Sequence, residues 1–163
     1  MKQIDMFNGE EAHLRRMREN WKKDIEAKGG HCPCCERFGK VYKIKMSQHL
    51  ALCLRWIYIH GEDDGWVDVQ NKAPRWMMKS KTYPLLEHWN LIESKEHRSG
   101  IWKATEWGVE FVHSHRKVSV AVHIYDNRIW GLESTEIDFK NCFGKHFDFE
   151  EMMQAEFNWA KIK

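Results

Sequence analysis

The residues that most restrict what this chain can fold into are Cys32, Cys35, His49 and Cys53, spaced C-x2-C-x13-H-x3-C. Two cysteines separated by two residues can face one ion from a tight turn, which Pro33 stiffens, and a His and a Cys four apart share one face of a helix. Four such donors fill a tetrahedron and leave no position for water, which describes structural Zn²⁺ rather than a hydrolytic centre. One structural Zn²⁺ is therefore expected, tying a cysteine turn to the first turns of a helix. His31 and Cys34 stand in the same turn, and either can replace a neighbouring ligand. The fifth cysteine, Cys142, stands apart and reads as a core thiol. An odd number of cysteines at metal-like spacing argues against a disulfide framework and for a reducing compartment.

Length and composition allow one or two small units with a real core, because 163 residues include nine tryptophans, eight phenylalanines and four tyrosines. No apolar run approaches the ~18 residues of a membrane span, and no charged-then-apolar leader precedes a small-residue cleavage site. A cytoplasmic protein with no membrane partner is expected. The net charge of +2 does not by itself announce a nucleic-acid partner. Its distribution says more: residues 1–45 carry 11 basic and 7 acidic side chains, whereas residues 121–163 carry 5 and 8. The acid-free central stretch, residues 69–86, holds Lys72, Arg75, Lys79 and Lys81. Such a run is ordinarily a solvated face unless the fold gives it a partner.

Asn8 with Glu11 reads as a capping box, Leu14, Met17, Trp21 and Ile25 recur at helical spacing, and Gly29-Gly30 end the run. An amphipathic helix thus occupies residues 1–30, its apolar stripe fitting the rest of the fold or a second copy. Beyond the cysteine turn, residues 40–45 alternate like a short strand and Ser47 caps a helix to about His60. Residues 31–60 form a zinc knuckle that merges into the first helix of a core at 46–115. That helix offers Leu50, Leu54, Ile57 and Tyr58 to the core. The core continues with a short segment 66–69, helices over 71–78 and 81–89, a strand 91–93, a polar tip 94–100, a strand 101–104 and a short helix capped by Thr105.

The phrases Leu86-Glu87-His88-Trp89-Asn90-Leu91-Ile92-Glu93 and Gly100-Ile101-Trp102-Lys103-Ala104-Thr105-Glu106-Trp107-Gly108 resemble the helix-to-wing passage of MarR-like and PadR-like winged-helix regulators. In that passage a leucine-rich helix end precedes an apolar pair, and the wing finishes in a Thr-x-x-Gly helix start. The chain is also similar to small phage and prophage proteins with a cysteine knuckle ahead of this passage. The resemblance covers residues 46–112, and Pro74 and Pro84 depart from an uninterrupted recognition helix. It implies a winged helix-turn-helix, double-stranded DNA as partner and a regulator working as a homodimer. In winged helices the third helix enters the major groove. Carried over, Lys79, Ser80, Lys81, Thr82 and Tyr83 become the groove-facing candidates, with Lys72 and Arg75 near the preceding turn and Lys95, His97 and Arg98 at the wing tip. Lys and Arg neutralise phosphates, and the hydroxyls donate to phosphates or bases.

Residues 116–163 have a different composition. Val118, Val120, Val122 and Ile124 alternate with Ser119, Ala121, His123 and Tyr125, and Asp126-Asn127 supply a turn to a returning strand over 128–132. Residues 136–143 add a strand or a turn. Asp148 with Glu151 starts a final helix whose apolar face is Phe149, Met152, Met153, Phe157 and Ala160. This acidic, aromatic segment suits a protein partner. No phosphate-cradling glycine loop, Gly-x-Ser-x-Gly turn or His-Glu-x-x-His helix occurs, so no enzyme activity and no catalytic residue is expected. His113 and His115 read as an exposed junction, and Asp63-Asp64 as a solvated turn. The expectation is an α+β protein, a winged helix-turn-helix core stapled by structural zinc with a C-terminal β-hairpin and helix, acting as a DNA-binding phage regulator. The alternative is a phage-encoded interaction module that binds and redirects a host protein.

Overall fold

Leu14, Met17, Trp21 and Ile25 lie on one helix, α1 (Ile4–Ala27). The structure, a computed structural model, describes residues 4–163. The helix is already formed at Ile4, so Asn8 lies inside it rather than at its start, and the capping contact expected there involves a side chain outside the described set. Burial grades along the stripe: Leu14 is 46% exposed, Met17 and Trp21 are half-buried, and Ile25 is 1% exposed. The chain leaves the helix through Gly29 at φ +93°, where the Phe38 ring occupies the space a side chain would need. A two-rung antiparallel ladder follows, β1 (Gly30–His31) with β2 (Phe38–Gly39), and the cysteines form its tip. Gly39 lets Trp21, Ile25 and Tyr125 close over its backbone, each 3.1–3.2 Å from where a Cβ would stand. Strand β3 (Tyr42–Lys45) comes next. One compact unit comprises the described residues up to Ile44 together with His123–Gly131.

The larger unit, Lys45–Val122 with Leu132–Lys163, is built around α2 (Gln48–His60). Ser47 is extended at φ −119° and its hydroxyl accepts the Leu50 N–H at 3.3 Å, as expected of a cap. Every residue from Leu50 to Ile57 is buried, so the helix is covered all round rather than on one face. That includes Arg55, whose Nη2 donates to the Met153 carbonyl at 3.1 Å.

After α2 come β4 (Val67–Asp68), α3 (Val69–Lys72), α4 (Arg75–Ser80), a 3-10 helix (Tyr83–Trp89), β5 (Ile92–Ser94), β6 (Ile101–Ala104) and α5 (Glu106–Val112). The helix expected over 71–78 is two short helices, because Pro74 holds Ala73 extended at ψ 146°. The helix expected over 81–89 starts later and winds as a 3-10 helix. Lys81 at φ 51° ends α4, Pro84 occupies the next first turn, and Asn90 at φ 58° terminates the segment. Strands β4, β6 and β5 pair antiparallel in that order, with Val67 opposite Trp102 and Ile92 opposite Ala104. Thr105 caps α5, accepting the Gly108 N–H at 3.1 Å while donating to the Asn90 carbonyl at 2.6 Å. A Cβ on Gly108 would overlap the Leu91 carbonyl and press on Leu54.

The alternating segment near residue 120 is two strands rather than one, β7 (Val118–Ser119) and β8 (Ala121–Tyr125). Asp126 and Asn127, at φ 48° and 58°, make the tight turn into β9 (Arg128–Leu132), and the sheet order is β3-β8-β9. Strand β7 instead pairs with β10 (Glu136–Ile137), and between them the Val120 N–H donates to the Thr135 carbonyl at 2.9 Å. The final helix is a single turn, α6 (Phe149–Met152), capped by Asp148. It does not continue through Phe157 and Ala160: the Met153 carbonyl is taken by Arg55, and Asn158 recaps a 3-10 turn (Trp159–Lys161). Trp76 donates from its indole to the Trp159 carbonyl at 3.1 Å and stacks on that ring. The chain is thus a mixed α+β structure with small antiparallel sheets. No helix among the described residues is long and apolar enough to cross a membrane.

Two substitutions test this packing. Leu54→Ala should cost about 2–5 kcal/mol of unfolding free energy through the cavity it opens. Gly108→Ala, a change worth roughly 0.5–1 kcal/mol of gain in an open helix, should instead lower stability because its methyl group meets the Leu91 carbonyl. Urea unfolding measures both, and parental stability in either variant would mean that α5 does not pack on α2 as described.

Candidate functional site

The cysteine turn is organised by its backbone. The Cys32 N–H donates to the Arg37 carbonyl and the Glu36 N–H to the Cys32 carbonyl, both at 2.9 Å, with Glu36 at φ 59° closing the loop. Nδ1 of His31 lies 2.9 Å from the Glu36 carbonyl, and its ring meets Phe38 edge-on. Inside this loop the N–H groups of Cys34 and Cys35 are aimed at the Cys32 sulfur and hold that thiol below its usual range. Cys32 is half-buried, while Cys34 and Cys35 are exposed.

The four expected zinc donors fall two and two. Cys32 and Cys35 share this turn in the smaller unit, whereas His49 and Cys53 lie on α2 in the larger one. His49 Nε2 is 2.7 Å from Ser80 Oγ, its ring packs edge-on to Trp76, and burial lowers its pKa. Cys53 is fully buried, and burial pushes its thiol up to about 12. Cys142 is raised to about 12 as well, chiefly by burial and then by Asp138. Among the described residues, no group of three or more His, Cys, Asp or Glu side chains gathers to hold a metal ion.

The expected DNA contacts sort differently once placed. Arg75 and Lys79 lie one turn apart on α4 and are exposed, and Lys81 sits exposed in the elbow that follows. Lys72 is paired with Glu62 at 2.7 Å. The hydroxyls of Ser80 and Thr82 bond one another at 3.3 Å, and Ser80 also donates to the Met77 carbonyl at 3.2 Å. Tyr83 is 8% exposed, takes a hydrogen bond from Trp102, and has its pKa raised by burial. At the tip between β5 and β6, Lys95, His97 and Arg98 are exposed, and Arg98 has φ 60°. Lys95 lies 6.0 Å from the Trp66 ring centre. The 3-10 helix itself, which follows the elbow, shows Glu87 to solvent and carries no Lys or Arg.

One feature was not legible in the sequence. Arg75 and Lys79 share the lip of a cavity of about 750 Å³ with Lys163, against an apolar wall of Pro74, Trp76 and Ile162. The C-terminal residues reach it because Trp159 docks on Trp76, a contact between residues 83 apart. No sequence periodicity spans that distance. Compared with protein families, curated proteins and solved structures, the chain matches none.

The thiols separate by environment, and timed alkylation with peptide mapping reads the separation. Cys34 and Cys35 should label in the native protein at mildly alkaline pH, half-buried Cys142 more slowly, and buried Cys53 only on unfolding. Buried Cys53 and half-buried Cys142 bind their protons more tightly folded than at the ordinary value of 9.0. Their contribution to stability is therefore complete below about pH 9 and is lost as pH rises toward about 12. Rapid native labelling of Cys53 would mean that the interior of α2 is open.

Proposed function

We propose that the larger unit is a winged helix that binds duplex DNA. The observation that carries the reading is the order α2, β4, α3 with α4, 3-10 helix, β5, loop, β6, combined with the antiparallel sheet order β4-β6-β5. Sheet and helices of this order bring a helical elbow and a strand-to-strand loop out of one small core, which is how winged helices meet a duplex. Arg75, Lys79 and Lys81 stand at the elbow, and Lys95 and Arg98 at the loop.

The chemistry of these groups favours backbone contact over base reading. All five are cations, and the neighbouring hydroxyls of Ser80, Thr82 and Tyr83 are already engaged within the protein. Phosphate contacts orient a protein on DNA without reporting sequence. Binding by about five such contacts gives a log–log salt slope near −4.5 and a loss of roughly two to three orders of magnitude in affinity between ~50 and ~200 mM salt. A second reading, a protein-interaction module on the same unit, draws on the 3-10 helix, where Glu87 replaces the cation that a groove-entering helix would present.

Lys81 and Arg98 allow a clean test because both hold positive φ, which a non-glycine residue adopts at a cost of about 1–2 kcal/mol. Lys81→Gly and Arg98→Gly therefore remove a charge while relieving the backbone. Each should lower the salt slope for a random duplex by about 0.9, with unfolding free energy equal to or above that of the parent. Fluorescence polarisation across a salt series measures the first and urea unfolding the second. Parental slopes in both variants would reject the DNA reading and favour the interaction module.

A further inference from the structure

Arg55 is the one buried charged residue among those described, 8% exposed on α2. Burial pulls its pKa down, yet a guanidinium stays protonated at any physiological pH. One N–H of Nη2 goes to the Met153 carbonyl at 3.1 Å, and Nε, itself buried, has no partner among the described residues. The Tyr58 ring centre lies 5.8 Å from the guanidinium carbon, which offsets part of the charge without accepting a proton from Nε. Among the described residues Arg55 takes part in no ion pair. A buried charge with no counter-charge is costly, so an anion brought to it gains more than it would at the surface.

Arg55 also lines a cavity of about 400 Å³ that lies wholly within the larger unit. That volume is at the small end of ligand sites. A single cation neutralises a single charge, and Glu156, exposed at the same cavity, opposes a second negative charge. The arrangement therefore suits a monoanion over a phosphate dianion. A forked guanidinium matches the two oxygens of a planar carboxylate. Nδ1 of His60 lies 2.9 Å from the Trp56 carbonyl, which takes that nitrogen's proton and leaves Arg55 as the permanent cation of the cavity.

Ile59, Met153, Phe157 and Trp159 supply the apolar walls. Trp159 is already met by the rings of Trp76, His60 and Phe157. The walls accordingly pack against a flexible aliphatic chain better than they stack on a flat ring. We propose that this cavity binds a short aliphatic carboxylate, with its carboxylate on Arg55 and its chain among Ile59, Met153, Phe157 and Trp159.

The test titrates the full chain with hexanoate by calorimetry, with hexanamide, hexyl phosphate and benzoate as comparators. Hexanoate should saturate a single site and bind roughly ten-fold to a hundred-fold more tightly than hexanamide, which lacks the charge. Hexyl phosphate and benzoate should both bind more weakly than hexanoate. Arg55→Lys keeps the charge but loses the fork, and should weaken hexanoate by about ten-fold or more. Ala155→Trp fills the cavity from an exposed lining position without altering the guanidinium. It should abolish hexanoate binding with the urea midpoint unchanged, and it carries the test where Arg55→Lys fails to fold. Glu156→Gln should tighten hexanoate at unchanged stability, because it removes the opposing charge. Lower stability without tighter binding in that variant would make Glu156 the resident partner of Arg55 and overturn the proposal. No saturation by hexanoate up to ~10 mM, equal affinity for hexanamide, tighter binding of benzoate or hexyl phosphate, or parental binding in Ala155→Trp would each overturn it as well. None of these readouts involves DNA, so they stand or fall apart from the winged-helix reading.

Discussion

The constraint on which the larger unit depends is that α2 has no solvated side between Leu50 and Ile57. A helix buried all round cannot be held by one partner, so several short elements have to converge on it. The 3-10 helix, β6 and α5 all contact α2, and α5 comes close enough that Gly108 must lack a side chain. Around α2 the unit is built of short helices of three to seven residues and strands of two to four, which have little stability alone. Burying Arg55 in the same helix carries a desolvation cost, offset in part by the bond from Nη2 to the Met153 carbonyl, while Nε has no partner among the described residues.

What could be read from the sequence was local chemistry. Ser47, Thr105 and Asp148 were legible as caps because a hydroxyl or carboxylate ahead of a helical run has one economical use, and each accepts the N–H three residues on. The strands flanking the polar tip at 94–100 and the tight turn at Asp126-Asn127 were legible for the same reason. What escaped was decided by partners far away in the chain. Val118 to Ile124 alternates like one strand, yet the Val120 N–H goes to Thr135 and divides it between two sheets. Phe149 to Ala160 has helical spacing, yet Arg55 takes the Met153 carbonyl, and Trp159 stacks on Trp76. Tyr83 was read as a surface hydroxyl because it stands among cations, but its ring packs edge-on against Trp102. Periodicity carries no information about contacts of that range.

The cysteines show how the same side chain divides by surroundings. Cys53 sits where eight successive residues are buried, and a charged sulfur there would lose its hydration without compensation, so the thiol stays protonated. Cys32 sits where two N–H groups point at it, and its proton is held less tightly. Spacing along the sequence treats the two alike, since C-x2-C and H-x3-C both match tetrahedral geometry. Burial and backbone direction separate them, and neither is a property of spacing.

Among the described residues, seven non-glycine positions hold positive φ. Glu36 closes the cysteine turn, Lys81 makes the elbow after α4, and Arg98 tips the loop between β5 and β6. Glycine would fit each of these positions without steric cost, so a long charged side chain there sits against local backbone preference. Strain of this kind persists where the surrounding structure over-determines the conformation, and it concentrates at sites that do something. Asp126 and Asn127, by contrast, are residue types that tolerate the left-handed region and form an ordinary hairpin turn. Asn90 ends the 3-10 helix and Ser114 follows α5, both also at positive φ, so backbone angle marks where the chain reverses and does not by itself pick out a site.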